Sequence, residues 1–381
     1  MQIAICAVLI TSSLVAVRGL VRSLHSDFGF KPQNALLVDT DLNLAGYRGN
    51  DVPEMQDRMI ETLAGIRGVQ SVGLIDSAPL VAGGYNGSFV FADEVTELRP
   101  SNAAAESFVF SISPEYFRAA GTTLLTGRNL TRHDDKDAPR VAVINEVFAH
   151  KVFGSSRNAV GRYFKNREGT RLHVVGVVED GKYNHIAEDP QSAMFLPIPQ
   201  APTSSTWLVI RSGFDSQQIS SAVRKTLRSL DSSLPVYVTT WGKGLELSLF
   251  PARMATISLG VLGLMGAMLS ITGIFGMAAH SVSKRLRELG IRMALGAQRR
   301  EVLRAALGRS FRLLAFGSGS GLLLGILASR VLAHIVFQAT PSDPLVLTGV
   351  VLAMALLGLA ATWIPAQRAL SIDPAILLRE E

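Results

Sequence analysis

The segment Gly176-Val-Val-Glu-Asp-Gly181-Lys182-Tyr183 has nearly the spacing of a phosphate-binding loop. In such a loop backbone N–H groups cradle a nucleotide and a lysine reaches its phosphates. Three residue choices argue against that chemistry. Tyr183 stands where a small hydroxyl would bind Mg²⁺, Glu179 and Asp180 set two carboxylates against the phosphates, and Asp189-Pro190 leaves no room for the helix that would hold the anion. A strand ending in a polar turn is the expected structure. The histidines (His25, His133, His150, His173, His185, His280 and His334) are scattered without ligand spacing. Neither H-E-x-x-H nor G-x-S-x-G occurs. His133 with Asp134, Asp135 and Asp137 reads as a solvated loop, with weak cation binding the alternative. The one cysteine, Cys6, lies in an apolar run, which leaves no internal disulfide and no cysteine-based zinc site. Catalytic residues: none expected; metal site: none expected.

The most strongly patterned charges lie in residues 283–312. Nine basic side chains (Lys284, Arg285, Arg287, Arg292, Arg299, Arg300, Arg304, Arg309 and Arg312) face two acidic ones (Glu288 and Glu301). Nine minus two is +7, against +6 for all 381 residues, so the remainder is near neutral. The excess is confined to one segment in which Phe311 is the single aromatic, which disfavours nucleic acid as a partner. Lys284, Glu288 and Arg292 recur at i, i+4 and i+8, a charge ladder on one helix face. Leu286, Leu289 and Met293 make an apolar stripe on another. Gly296 suits a helix stop, and Gly290 within the helix costs ~1 kcal/mol against alanine, a hint of close approach. Such a helix could lie on anionic lipid or dock into a groove of a cytosolic protein; the residues alone leave both open.

Apolar runs surround this segment. Hydrophobic residues make up 48% of the chain, and four stretches approach the ~20 apolar residues that cross a bilayer as a helix: 1–17, 254–279, 313–337 and 345–364. Arg18 and Arg22 can snorkel at the end of the first. Gly317, Gly321 and Gly325 form a double small-xxx-small repeat in the third run, and Gly260, Gly263, Gly266, Gly273 and Gly276 stud the second. Such spacing lets helix backbones approach closely in lipid. The basic loop is cytoplasmic by the positive-inside rule. The turn 338–344 is then outside, and so is the long stretch between the first two runs. Met1 falls almost at the start of an apolar run with no basic flank, so residues upstream of it are expected in a longer chain.

Residues 25–250 are mixed in polarity. Strand 34–42, amphipathic helix 53–66 and strand 69–76 form one βαβ unit; strand 207–211, helix 216–230 and strand 235–240 form another. The two can pair into one α/β layer. Strands 107–112, 141–144 and 171–178 with a short helix 145–153 fall between them, as an inserted second subdomain.

At the basic loop the sequence resembles the MacB/FtsX-type permeases of ABC transporters. Arg287-Glu288-Leu289-Gly290-Ile291-Arg292-Met293-Ala294-Leu295-Gly296-Ala297 is similar to that family's R-E-x-G-I-R-x-A-x-G-A signature. Ser113-Pro-Glu-Tyr-Phe117, Leu125-Thr-Gly-Arg128, Pro139-Arg-Val-Ala-Val-Ile-Asn-Glu146, Val160-Gly-Arg162 and Val175-Gly-Val-Val-Glu-Asp180 are similar to its external domain, and Pro365-Ala-Gln-Arg-Ala369 and Asp373-Pro374 to its end. The match is best to the second half of duplicated orphan permeases. It implies a membrane α-helical plus α+β chain, with four transmembrane helices (1+3) and a large extracytoplasmic α+β domain between the first and second. The implied domains are helix 1 in 1–24, a MacB-like periplasmic core in 25–250 (a porter-like part with an inserted subdomain) and an FtsX-like permease domain in 251–381, its cytoplasmic coupling loop being 281–312. The resemblance implies that Arg287, Glu288, Gly290, Arg292, Ala294, Gly296 and Ala297 couple to a separate cytosolic ABC ATPase, which would bind the ATP. No cofactor is expected in this chain itself. Implied partners are that ATPase, a second permease copy or half, and membrane lipid, in a bacterial plasma membrane. The reading is a non-enzymatic permease that exports a substrate or transmits force; the alternative is a membrane-anchored envelope binding or scaffold protein.

Overall fold

The computed structural model describes residues 2–24, 27–81, 86–186, 188–214, 216–284, 298, 308, 312, 315–327 and 344–370. It divides into two compact units, one of Met1–His25 with Pro251–Glu381 and one of Ser26–Phe250. The chain enters through helix α1 (Gln2–Leu24), then forms β1 (Ala35–Asp41), α2 (Asp51–Ala64) and β2 (Val69–Ile75). A middle section follows: β3 (Asn86–Ala92), β4 (Ala105–Ile112), α3 (Tyr116–Ala120), β5 (Leu124–Gly127), β6 (Val141–Asn145), α4 (Glu146–Phe153), α5 (Ser156–Ala159), β7 (Tyr163–Lys165), β8 (Arg171–Val178) and β9 (Ser192–Pro197). The second unit closes with β10 (Ser205–Ser212), α6 (Ser216–Leu230) and β11 (Tyr237–Thr240).

Two βαβ segments, β1-α2-β2 and β10-α6-β11, interleave in one sheet of order β11-β1-β10-β2, with β10 antiparallel to both neighbours and β11 antiparallel to β1. This is the split βαβ arrangement, in which each crossover helix skips one strand position. Alternate residues of these strands point to the helix side. There Leu36, Val38, Leu74, Leu208 and Ile210 meet Met55, Met59 and Leu63 of α2 and Val223 and Leu227 of α6 in one core. The helices are amphipathic because only one face of each is covered.

The middle strands close on themselves. β3 pairs β4, β4 pairs β9, β9 pairs β6, β6 pairs β8, β8 pairs β7 and β7 returns to β3, so six strands form a small mixed barrel. Closure removes the unpaired edges that would otherwise recruit another strand. Val90, Ile144, Phe164, Val174 and Met194 join its core, together with Phe148 of α4 and Ala159 of α5. Asn145 ends β6 and starts α4: its Oδ1 accepts from the Phe148 N–H (3.1 Å) and from the Ala193 N–H of β9 (2.9 Å). Gly154, at φ +81°, ends the helix in the left-handed region that favours glycine.

Layer and barrel join at one bridge, Ile75↔Ile112. Ser113 extends the join: its Oγ accepts from the Leu74 N–H at 3.0 Å, and its own N–H donates to the Leu74 carbonyl at 3.0 Å. Phe110, Tyr183, Phe195 and Phe117 stack nearby, with ring centroids 5.0–5.4 Å apart along Tyr183–Phe110–Phe195–Phe117. Arg211 ties β10 to α3, donating to the carbonyls of Ala119 (2.8 Å), Ala120 (2.9 Å), Lys31 (2.7 Å) and Gln33 (3.1 Å). Its burial lowers the guanidinium pKa.

In the first unit, α1 is joined by the part of α7 (Trp241–Lys284) from Pro251 onward, α8 (Ala315–Leu327) and α9 (Pro344–Leu370). Among the described residues three segments are long and apolar enough to cross a membrane: Gln2–Val21, Arg253–Lys284 and Pro344–Pro365. Leu264, Met265, Met268, Leu352 and Leu356 are exposed on α7 and α9, as lipid-facing positions would be. The second apolar run, expected over 254–279, lies within the span Arg253–Lys284; the helix that carries it, α7, starts earlier, at Trp241, with Pro251 inside it. Proline removes one hydrogen bond and crowds the preceding turn, yet here the helix continues through it.

Gly73 of β2 lies directly under α3: a Cβ there would stand 2.5 Å from Tyr116 Cα and 2.8 Å from its N. Those are backbone atoms that no rotamer change can move. Gly73→Ala is expected to cost ~2 kcal/mol by overpacking and to lower the thermal midpoint of the external unit by roughly 4–8 °C, read by tryptophan fluorescence of the purified chain.

Candidate functional site

The helical unit packs most closely at the seams around α1. Along one side of α1, Ile3, Ala7 and Thr11 meet Gly317, Gly321 and Gly325 of α8 in order. A Cβ at Gly317 would lie 2.8 Å from Ile3 Cβ, one at Gly321 2.5 Å from Ala7 Cβ and 2.6 Å from the Ala4 carbonyl oxygen, and one at Gly325 2.8 Å from Thr11 Cβ. Both partners step by four residues in the same direction, so the helices run parallel and their backbones touch. On another side α7 runs antiparallel: Gly263 faces Leu9 and Ser13, Gly266 faces Cys6 and Leu9, and Gly273 faces Gln2. The Gln2 amide donates to the Leu269 carbonyl at 2.7 Å. From α9, Val346, Val350, Met354 and Ala361 join the same apolar cluster as Ile3, Cys6, Ala7 and Val15. Thr11 and Thr362 bond back one turn, to the Ala7 carbonyl (2.6 Å) and the Gly358 carbonyl (2.7 Å), which satisfies these two hydroxyls without water. α1 is therefore the shared neighbour of the other three helices.

The other expected site residues, Arg287, Glu288, Gly290, Arg292, Ala294, Gly296 and Ala297, lie outside the described residues.

In the external unit the phosphate-loop spacing builds something else. The Glu188 carboxylate accepts the backbone N–H groups of Tyr183 (2.6 Å), Asn184 (3.2 Å) and His185 (3.1 Å). The donors that would cradle an anion already hold one, and it is fixed to the chain. Lys182 Nζ donates to the Glu188 carbonyl, and the Tyr183 ring is buried among Phe108, Phe110 and Phe195. The aspartate cluster is likewise internal. Asp134 takes both Arg128 Nη atoms at 2.8 Å and the Thr131 N–H at 2.8 Å, while Asp135 Oδ1 accepts from the Asp137 and Ala138 N–H groups at 3.0 Å. The Arg128 hydrogen bonds hold the Asp134 carboxyl below its ordinary pKa. Among the described residues no group of three or more His, Cys, Asp or Glu is placed to hold a metal.

Sequence reasoning missed Asp76. It follows the bridge between layer and barrel, and its Oδ1 is buried without a hydrogen-bond partner. Burial, only partly offset by backbone hydrogen bonds at Ser111 and Ser77, raises its pKa from 3.8 to about 6. The signal in sequence was a lone acid directly after an apolar strand.

Two family models match. The MacB-like periplasmic core domain covers residues 3–226 and the FtsX-like permease C-terminal domain covers residues 260–374. The chain is 26% identical over 377 residues to a macrolide export ATP-binding/permease protein MacB from Hahella chejuensis, covering 90% of this chain and 53% of that one. It is 24% identical over 278 residues to the protein of that name from Rhodospirillum rubrum, covering 70% and 42%. It is 26% identical over 273 residues to a pyoverdine export ATP-binding/permease protein PvdT from Pseudomonas syringae pv. tomato, covering 67% and 40%. The chain thus spans about half the length of the curated relatives it matches.

Two outcomes are expected. Gly321→Leu forces α1 and α8 apart and destabilises the helical unit, whereas Gly319→Leu, where a Cβ meets nothing within 4 Å, leaves it intact; thermal aggregation of the purified chain in mild detergent separates the two. For Asp76, the folded-state pKa of about 6 exceeds the ordinary value of 3.8. Between those values the folded chain keeps a proton that the unfolded chain has released, so this carboxyl costs stability as pH rises through that window. Asp76→Asn removes the cost. It should stabilise the external unit at pH 7 by on the order of 2 kcal/mol, with the advantage gone by about pH 4 in paired melts.

Proposed function

The chain belongs to the family that joins a MacB-like periplasmic core domain to an FtsX-like permease C-terminal domain, and from that premise we propose that it is the permease subunit of an ABC transporter. It is a membrane component with a periplasmic-type α+β domain. In this reading four helices cross a bacterial plasma membrane. The external unit stands outside, and the loop 281–312 meets a separate cytosolic ATPase. That ATPase binds ATP; the permease itself catalyses nothing.

The observation that carries the reading is the order of the two matched domains along one chain, with the basic, amphipathic segment inside the second. The helix seams support a mechanism. Closure of the ATPase on nucleotide moves the coupling helix, in which Glu288 and Arg292 make the polar contacts and Gly290, Gly296 and Ala297 the close ones, with Arg287 and Ala294 completing the surface. α7 and α8 flank that segment in sequence, and both touch α1 backbone to side chain with no slack. A tilt of either is therefore shared by α1 and passed on to the external domain as a change of shape. That change exports a substrate, as the names of the macrolide and pyoverdine relatives indicate for them, or it transmits force alone. A second permease copy or half completes the assembly.

The test is association and coupled turnover. An ATPase expressed with the full chain should co-purify, and its hydrolysis rate should change severalfold when the permease is present. Glu288→Arg with Arg292→Glu should abolish co-purification while leaving the chain folded. Unchanged association in that variant removes these residues from the coupling surface. A chain that binds no ATPase at all supports the envelope scaffold instead.

A further inference from the structure

The six-stranded barrel carries at one end a cavity of about 460 Å³ that plays no part in the transmission described above. The strand ends converging there are the starts of β3, β6 and β8 and the far part of β9, together with the β7–β8 turn. Barrel mouths of this size are a common setting for small-molecule sites.

Its apolar lining is Val109, Leu172, Met194 and Leu196, which belong to the barrel core or pack against it, and Asn86, Ser88, Asn166 and Thr170 add polar lining. Its rim is cationic on two sides. Arg140 enters from the segment before β6, and Arg167 sits at the tip of the β7–β8 turn. Among the described residues neither is held in an ion pair. The Arg140 side chain is nonetheless positioned, and the backbone of the turn that carries Arg167 is fixed. The Arg140 Nη1 donates to the Gln200 carbonyl, and the Gln200 side chain is itself fixed by the Asp135 carbonyl (3.0 Å), the Pro139 carbonyl (3.1 Å) and the Val141 N–H (3.2 Å). The Arg167 turn is closed by Asn166, whose Oδ1 accepts from the Thr170 N–H at 2.8 Å and whose own N–H donates to the Thr170 carbonyl at 3.1 Å. Glu168 is the one carboxylate on the rim. Two guanidiniums and one carboxylate leave a single net positive charge above the apolar lining.

We propose that this barrel mouth binds a small amphipathic anion, its single charged group between Arg140 and Arg167 and its short apolar tail on Leu172, Met194, Val109 and Leu196. Guanidinium forks suit carboxylate, sulfate or phosphate oxygens. Glu168 sets the limit of one negative charge, because a second would face it. The site lies wholly within the external unit, so it does not depend on ATPase coupling, and it can be tested with no ATPase present.

The probe is octanoate, with octanol and octyltrimethylammonium as the neutral and cationic controls. Binding is followed by saturation-transfer NMR on the full chain in lipid nanodiscs, with empty discs subtracted. Saturable octanoate binding is expected, at least tenfold tighter than either control. Arg140→Gln with Arg167→Gln should weaken it tenfold or more, and Ser88→Trp, which places an indole in the mouth, should abolish it. Both alterations involve rim side chains, and unchanged melting curves will show that the barrel is intact. Absence of saturable binding above empty discs overturns the proposal. So does octanoate binding that is indifferent to the arginine pair, and so does equal affinity for octanol, which would mark a neutral-ligand site.

Discussion

Helices in lipid gain nothing by hiding apolar surface from one another, because the surrounding chains are as apolar as leucine. What holds them is close van der Waals contact, and that requires one surface without side chains. α1 meets this condition twice, through the glycines of α8 on one side and those of α7 on another. The rest of the helical unit follows from it. Thr11 and Thr362 must satisfy their hydroxyls on their own helices, and bulky residues such as Leu264 and Leu356 are directed outward. Contact this close leaves no compliant layer of side chains, so a displacement of one helix becomes a displacement of its neighbours.

The external unit solves a different problem. A split βαβ layer with both helices on one face is stable by ordinary burial. The inserted strands would leave exposed edges, and closing them into a barrel removes those edges. The join between the two is narrow: one bridge, the doubly bonded Ser113 and the buried Asp76. Several segments that resemble the permease family prove to be the hardware of this join and of the barrel. Ser113 pins β2 to the end of β4, Asn145 caps α4 while holding β9 in place, and Asp180 accepts from Asn145 Nδ2 (2.9 Å) and from the Val147 N–H (2.8 Å). Their chemistry is hydrogen bonding that fixes shape.

Much of the fold was legible in the sequence, for identifiable reasons. The elements β1, α2, β2, β10, α6 and β11 fall within a few residues of the expected positions, because period-2 and period-3.6 patterns alternate cleanly there. β8 coincides with its expected range. The barrel was not legible. β5 and β7 have four and three residues, too short to show a period, β9 reads Ser-Ala-Met-Phe-Leu-Pro without alternation, and closure depends on pairings far apart in the chain. The start of α7 was hidden by Gly242, Gly244 and Pro251, each a helix breaker by propensity. The glycine repeat of the third apolar run was visible in sequence, but its partner on α1 was not: Ile3, Ala7 and Thr11 are unremarkable until the seam is seen. The barrel mouth was invisible for the same reason as the barrel.

The proposed permease function rests on sidedness: in that reading work enters at the basic loop and leaves through the α/β unit across the membrane. The direct measurement is single-cysteine labelling in sealed cells, in a Cys6→Ser background, with a membrane-impermeant maleimide. Cysteines introduced at exposed Glu97 and Asp137 should label in intact cells, and one introduced at Arg300 should label only after the membrane is opened. Equal labelling of all three positions from the same side would contradict the account.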